Sequence, residues 1–303
     1  RAALPAAARE LYAMQNLAGG LVVRVSPDEV EYLGGLPGVA RVRTVRPMAP
    51  NPVAYADRFI GAAPAWGWGV TNLTGAGIRI GIIDSGIDYL HADFGGPGGG
   101  YTNNDVTRAD DLPGLYPSKK VAGGYDFCGD DYDGSTLPHP DDDPMDCMGH
   151  GSSVAGVAGG CGVTTGGATF TGPYGAPSPS AGLRIPPGIA PGAALYALRV
   201  FGCSGSTYLV PQAVDWAMDP DGDADYSDHL DVVNISIGSP FAPPDDLFSV
   251  AADEAARAGV LVALSAGNDY ETYYIGGNRS DLGVVVAASL ADTYWTYAVR
   301  VAS

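Results

Sequence analysis

The stretch Gly77-Ile78-Arg79-Ile80-Gly81-Ile82-Ile83-Asp84-Ser85-Gly86-Ile87-Asp88 decides how the chain is read. Its apolar run ends at an aspartate, and turn-forming Ser85 and Gly86 follow at once. A run that is apolar on both faces reads as a parallel strand covered on both sides. A charged residue at the carboxyl end of such a strand sits where open α/β sheets place their chemistry. Further strand-like runs occur at 121–127, 194–200, 230–237, 260–266 and 283–288. Helix-like stretches at 152–159, 209–218 and 248–258 separate several of them. Strands alternating with helices predict an α/β fold, with a mainly parallel sheet between two helical layers. Residues 95–146 otherwise read mostly as loop, and no internal repeat is visible.

The 303 residues are 46% hydrophobic, enough for a sizeable core. A formal net charge of −18 disfavours nucleic acid and anionic membranes as partners and favours cations such as calcium. No apolar run approaches the ~18 residues that a membrane helix needs. The four cysteines, Cys128, Cys147, Cys161 and Cys203, form no CxxC pair, so a zinc site is not expected. An even cysteine count in an acidic, loop-rich chain points to two disulfides and an oxidising compartment, with three pairings open. The chain begins at Arg1 with neither an initiator Met nor a signal peptide, and it reads as a processed or truncated piece.

Residues 1–50 stand apart. Leu21 to Val25 predicts a strand, and Ser26-Pro27-Asp28-Glu29 predicts a helix start that runs to Gly34-Gly35. Val39 to Val45 alternates apolar and polar and predicts a second strand. This α+β unit carries Arg1, Arg9, Arg24, Arg41 and Arg43, and Pro47, Pro50 and Pro52 after it read as a linker. The boundary is placed there, giving domains 1–50 and 51–303.

Asp84 and His150 are 66 residues apart, a separation suited to neighbouring elements of such a sheet. His150 lies between Gly149 and Gly151, ahead of a helix of small residues. A histidine so placed takes a proton from a nucleophile while a carboxylate fixes its tautomer. Asn268 ends another buried strand, where its side-chain amide is placed to donate to a developing oxyanion.

Together these segments resemble the subtilisin-like (S8) serine proteases. Ile83-Asp84-Ser85-Gly86-Ile87-Asp88 matches the family's Asp motif, and His150-Gly151-Ser152-Ser153-Val154-Ala155-Gly156 its His motif. Ser265-Ala266-Gly267-Asn268 matches its oxyanion motif, and the chain order Asp before His is the subtilisin order. Ser236, Ile237 and Gly238 resemble the wall of the primary specificity pocket, faced by Ser265, Ala266 and Gly267. Gly205 and Ser206 resemble the edge that pairs with extended substrate. The resemblance covers about residues 53–290. It implies a three-layer subtilisin-like fold, protein or peptide substrates, secretion and a monomer.

Two departures from the family pattern stand out. Ser153 replaces the family's second histidine, a structural position. No G-T-S-M-A-like segment follows Asn268, so the nucleophilic serine is expected beyond Ser303. Val286 to Ser289 and Tyr294 to Tyr297 resemble the point where larger secreted members insert a protease-associated domain. If the continuing chain lacks that serine, the alternative is an inactive binding or scaffold protein.

Residues 1–50 resemble the end of the family's inhibitory propeptide, an inhibitor and folding chaperone, so a zymogen is implied. The resemblance also implies the pairs Cys147–Cys203 and Cys128–Cys161. Asp219, Asp221, Asp223 and Asp225, with Asp228, alternate along a Gly-containing loop and are read as a structural calcium site. Asp141-Asp142-Asp143 lacks that alternation and reads as a solvated loop.

Overall fold

The computed structural model describes residues 4–5, 8–14, 20–43, 49–50, 60–67, 73–103, 113–175, 182–239, 243, 245–268 and 278–288. The chain opens with an antiparallel pair, β1 (Arg9–Met14) and β2 (Gly20–Arg24). A short 3₁₀ turn at Pro27–Glu29 leads into α1 (Val30–Gly34), as the Ser-Pro-Asp-Glu start predicts. Residues 39–43 form no strand, and residues 44 and 45 of that expectation lie outside the described residues. β1 takes its place as the partner of β2. Ala49–Pro50 forms a two-residue strand, β3, where a linker is expected.

α2 (Ala62–Trp66) precedes the first strand of the main sheet, β4 (Arg79–Asp84). The chain continues through β5 (Val121–Asp126), α3 (His150–Gly159) and a small antiparallel pair, β6 (Val163–Thr164) and β7 (Leu183–Ile185). β8 (Ala194–Arg199), α4 (Val210–Trp216), β9 (Val232–Ile235) and β10 (Ile237–Gly238) follow. α5 (Leu247–Ala258), β11 (Leu261–Ser265) and β12 (Val284–Val286) complete the order. Six strands form one sheet in the order β12-β11-β9-β4-β8-β5, every neighbouring pair parallel. Among the described residues no helix is long and apolar enough to cross a membrane.

β4 lies inside this sheet, which is why its sequence is apolar from Ile80 to Ile83. Side chains alternate across a strand. Ile80 and Ile82 pack with Val154 and Ala155 of α3, whereas Ile83 packs with α4 and α5 through Ala213, Val214, Ala251 and Ala252. Gly81 leaves room on the Ile83 face, where a Cβ would stand 2.7 Å from Leu230 Cδ1. The same alternation turns Asp84 toward α3. The small residues at the start of α3 let it approach closely: a Cβ on Gly151 would meet Gly86 O at 2.2 Å. Gly86 is itself in the left-handed region, at φ 103°.

The N-terminal unit docks on the α4 side. Tyr12 and Val22 are buried in the same core cluster as α4 and α5. The Tyr12 hydroxyl donates to Tyr208 O at 2.8 Å. Arg24 donates to Gly134 O at 2.7 Å and also to Ser135 O.

Candidate active site

Asp84 is fully buried at the carboxyl end of β4. Its Oδ1 accepts from Ser85 N at 2.7 Å and stands 2.7 Å from His150 Nδ1. A carboxylate accepts only, so Nδ1 carries the ring proton and Nε2 the lone pair. Burial pushes the Asp84 carboxyl above the ordinary carboxylate range, and the bond from His150 opposes that shift. The His150 side chain keeps 15% exposure, so one edge of the ring reaches the surface.

What holds His150 is the start of α3, and a residue that sequence reading missed organises it. Asp146 is buried. Its Oδ1 accepts from Ser85 Oγ at 2.9 Å, Met148 N at 2.8 Å and Gly149 N at 2.9 Å. Its Oδ2 accepts from Ser152 N at 2.9 Å and Ser152 Oγ at 2.7 Å. Ser85 Oγ in turn accepts from Gly151 N at 2.8 Å, which ties the turn after β4 to the helix. The available signal was an acid just ahead of a helix start, which satisfies orphan backbone donors. Ser153, at the departure from the family motif, donates its hydroxyl to Gly149 O at 2.8 Å.

The acidic loop before Asp146 also corrects an expectation. Asp143 is fully buried and accepts from Tyr89 OH at 2.8 Å and Met145 N at 3.1 Å. Asp141 pairs with Asp126 in an isolated bridge. Only Asp142 of the three is exposed.

The other half of the predicted site leaves the next two strands, β9 beside β4 and β11 beyond it, about 5 and 10 Å across the sheet at ordinary strand spacing. Ser236, Ile237 and Gly238 leave the end of β9, and Ser265, Ala266 and Gly267 leave the end of β11. β10 pairs antiparallel with β3, Ile237 opposite Pro50 and Gly238 opposite Ala49. Gly267 has φ 91° and donates its N–H to Ser265 Oγ at 3.1 Å, and Asn268 follows, exposed at the turn. Gly205, at φ 93°, lies so close to Asp133 O that a Cβ would stand 2.4 Å from it. Ser206 N donates to that same oxygen at 3.1 Å.

Cys147 and Cys203 form a disulfide with a Cα–Cα distance of 5.3 Å. It ties the segment leading to His150 to the one leading to Gly205. Beside it lies fully buried Arg199, 3.0 Å from Asp126, 2.8 Å from Asp130 and 3.2 Å from Cys147 Sγ. The expected Cys128–Cys161 pair does not form, and both thiols are free. Cys128 follows the carboxyl end of β5 in the α4 and α5 core, where its thiol donates to Asp126 Oδ1 at 3.1 Å. Cys161 follows α3 near the opposite end of β5, close to Lys120, the residue before that strand. The length of β5, about 20 Å at strand rise, separates them, far beyond disulfide reach.

The predicted acid loop is closed by its own carboxylates. Asp219, Asp221 and Asp223 each bring an oxygen within 4.8 Å of the others. Asp219 accepts from Gly222 N, Asp223 N and Ala224 N at 3.0–3.1 Å. Asp225 instead caps the 3₁₀ turn at Tyr226–Asp228 by accepting from Ser227 N at 3.0 Å. Asp225 and Asp228 lie outside the carboxylate group.

Residues 75–294 match the model of the subtilase family, peptidase family S8. The chain is 31% identical to the minor extracellular protease Vpr of Bacillus subtilis over 212 residues, 69% of this chain and 20% of that protein. It is 27% identical to alkaline serine exoprotease A of Vibrio alginolyticus over 266 residues, 82% of this chain and 37% of that protein. With subtilisin DY of Bacillus licheniformis it shares 28% identity over 197 residues, 64% of this chain and 48% of that protein. The chain thus spans between a fifth and a half of the length of these relatives. With the family model matched over most of its length, the chain belongs to the subtilase family of serine peptidases.

Proposed function

We propose that the protein is a secreted subtilisin-like serine endopeptidase. The observation that carries this is the 2.7 Å bond between His150 Nδ1 and buried Asp84 Oδ1 at the end of β4. In this reading the nucleophile is a serine C-terminal to Ser303. His150 Nε2 takes the serine proton as the oxygen attacks the peptide carbonyl. Asp84 holds the ring tautomer and stabilises the imidazolium that forms. The Asn268 side-chain amide donates to the oxyanion, a contribution on the order of 10²–10³ in kcat. The tetrahedral intermediate then collapses as His150 returns the proton to the leaving amine. Water completes the cycle by hydrolysing the acyl-enzyme. Secretion is supported by the Cys147–Cys203 disulfide and by a relative whose name calls it extracellular.

Residues 1–50 act in this reading as an inhibitory propeptide. Support comes from β3 paired along β10 and from Tyr12 and Val22 seated against α4 and α5. We further propose that Asp219, Asp221 and Asp223 hold a structural calcium ion. The donor set fits in part: three close carboxylates suit a hard cation, while Asp225 is committed to its turn. Calorimetry should detect calcium binding that an Asp221→Asn, Asp223→Asn variant loses; identical heats from both proteins would remove the site.

The function is tested on the full-length protein with fluorogenic peptides. Hydrolysis should fall by about 10⁵–10⁶ in kcat on His150→Ala. Residues 1–303 alone should show no hydrolysis dependent on His150. Activity of the full-length protein that survives His150→Ala would defeat the assignment.

A further inference from the structure

We infer that Asn278 is a specificity-determining residue that clamps the two walls of the primary substrate pocket. This rests on the peptidase reading above, which makes residues 236–238 and 265–267 those walls. β9 and β11 run paired only as far as Ile235 opposite Leu264. Beyond that point the ladder opens, because β10 turns away to pair with β3. An opened ladder leaves backbone carbonyls without their usual donors.

Asn278 fills the opening. The residue is buried, with 6% exposure, and its Nδ2 donates to both Ile237 O and Ser265 O, the latter at 2.8 Å. One carbonyl belongs to each wall. Both partners only accept, so the amide meets them through its NH₂ end and its orientation is fixed. A single nitrogen bonded to both oxygens holds them within about 6 Å of each other, twice an ordinary hydrogen-bond length. Among the described residues, Asn278 Oδ1 is buried and without a hydrogen-bond partner, so the acceptor end of the amide does not compete for this orientation. The pocket width therefore depends on a side chain ten residues beyond the oxyanion-turn asparagine. Asn278 acts through the walls without belonging to the reacting groups, so it is a positioning residue.

The test uses full-length enzyme and two peptide anilides that differ only in Phe or Ala before the cleaved bond. The readout is the ratio of their kcat/KM values in one preparation, which cancels any difference in folded fraction. Asn278→Asp places a carboxylate against both carbonyls, and the ratio should change by about fivefold or more near pH 8. A protonated aspartic acid regains one donor, so the ratio should move back toward the wild-type value as pH falls, in this variant alone. Asn278→Ala should show the altered ratio at every pH. Ratios within about twofold of wild type in both variants, with any loss shared evenly by the two substrates, would overturn the inference. Should neither variant accumulate, hydrogen exchange of the Asn278 side-chain amide in labelled wild type decides. Slow exchange supports the clamp, and exchange as fast as that of exposed Asn268 refutes it. A wild-type enzyme that cleaves neither anilide nor any protein would instead bring down the peptidase reading, and this inference with it.

Discussion

The two ends of α3 are built from opposite charges and do different work. At its start the negative carboxylate of Asp146 collects backbone N–H groups and steadies His150 against Asp84. At its end the ammonium of Lys120 donates to Gly159 O at 2.8 Å, Pro191 O at 2.7 Å and Ala193 O at 2.9 Å. Each charge complements the helix dipole at its own end. The difference lies in exposure and charge. The start leaves a histidine edge at the surface, while Lys120 has spent its three donors on the protein. In the proposed reading, one short helix thus meets chemistry at one end and is anchored at the other. That contrast breaks if damage at the far end proves as costly to turnover as damage at the start.

After loss of His150 itself, the largest effect is expected from Asp84→Asn in full-length enzyme. The amide no longer selects the Nδ1–H tautomer, and kcat should fall by about 10⁴. Folding should be largely spared, because the substitution removes a buried charge whose carboxyl already resists ionisation. A fall of less than about tenfold would separate Asp84 from the chemistry.

Asp146→Ala comes next and should act on stability as well as turnover. It strips an acceptor from Met148 N, Gly149 N, Ser152 N and the hydroxyls of Ser85 and Ser152. Several buried donors left unsatisfied should cost about 3–5 kcal/mol in denaturant unfolding. Asp146→Asn, which keeps one acceptor oxygen, should recover part of that loss.

Asp146 also marks where sequence reading stopped. The strand ending in Asp84 was legible because burial on both faces leaves an unbroken apolar run, and the tightly packed start of α3 because close approach demands small residues. Asn268 was legible as a strand-end residue. Asp146 and Asp143 sit in an acid-rich loop, and composition alone reads such a loop as solvated. Their burial depends on donors far away in the chain, Ser85 and Tyr89. β1 was missed for a similar reason: its pairing with β2 and the seat of Tyr12 beside α4 are tertiary facts. The Cys128–Cys161 pairing, implied only by the family resemblance, failed because the fold puts the two thiols at opposite ends of β5.

At the other end of α3, Lys120→Met should reduce stability by about 2–4 kcal/mol, since three carbonyls lose a charged donor. The kcat of the folded fraction should stay within about twofold of wild type. A loss of turnover matching that of Asp146→Ala would show that the two ends are coupled, and the contrast would fail.

The smallest effect is also the most diagnostic of the anchored end. Asp93 is buried in a notch left by Gly156 and Gly160, where a Cβ on Gly160 would stand 2.2 Å from its Oδ2. Its Oδ1 accepts from Gly162 N at 2.6 Å. Burial raises its carboxyl from 3.8 to about 6, against the lowering effects of that bond, His91 and Lys120. A raised carboxyl favours the protonated form in the folded state. Its stabilising contribution is therefore complete below the ordinary carboxylate value and is lost as pH climbs through about 6. Between about pH 4 and pH 8 wild type should lose up to about 3 kcal/mol through this group, the shift converted at 1.36 kcal/mol per unit. Asp93→Asn carries no titratable proton, so its unfolding free energy should lack this slope. The variant should gain on wild type at high pH and converge with it near pH 4, with kcat unchanged throughout. Parallel pH profiles for the two proteins would mean that the Asp93 carboxylate is stabilised in place by Gly162 and Lys120. The anchored end of α3 would then hold a settled ion pair in place of a proton-binding group.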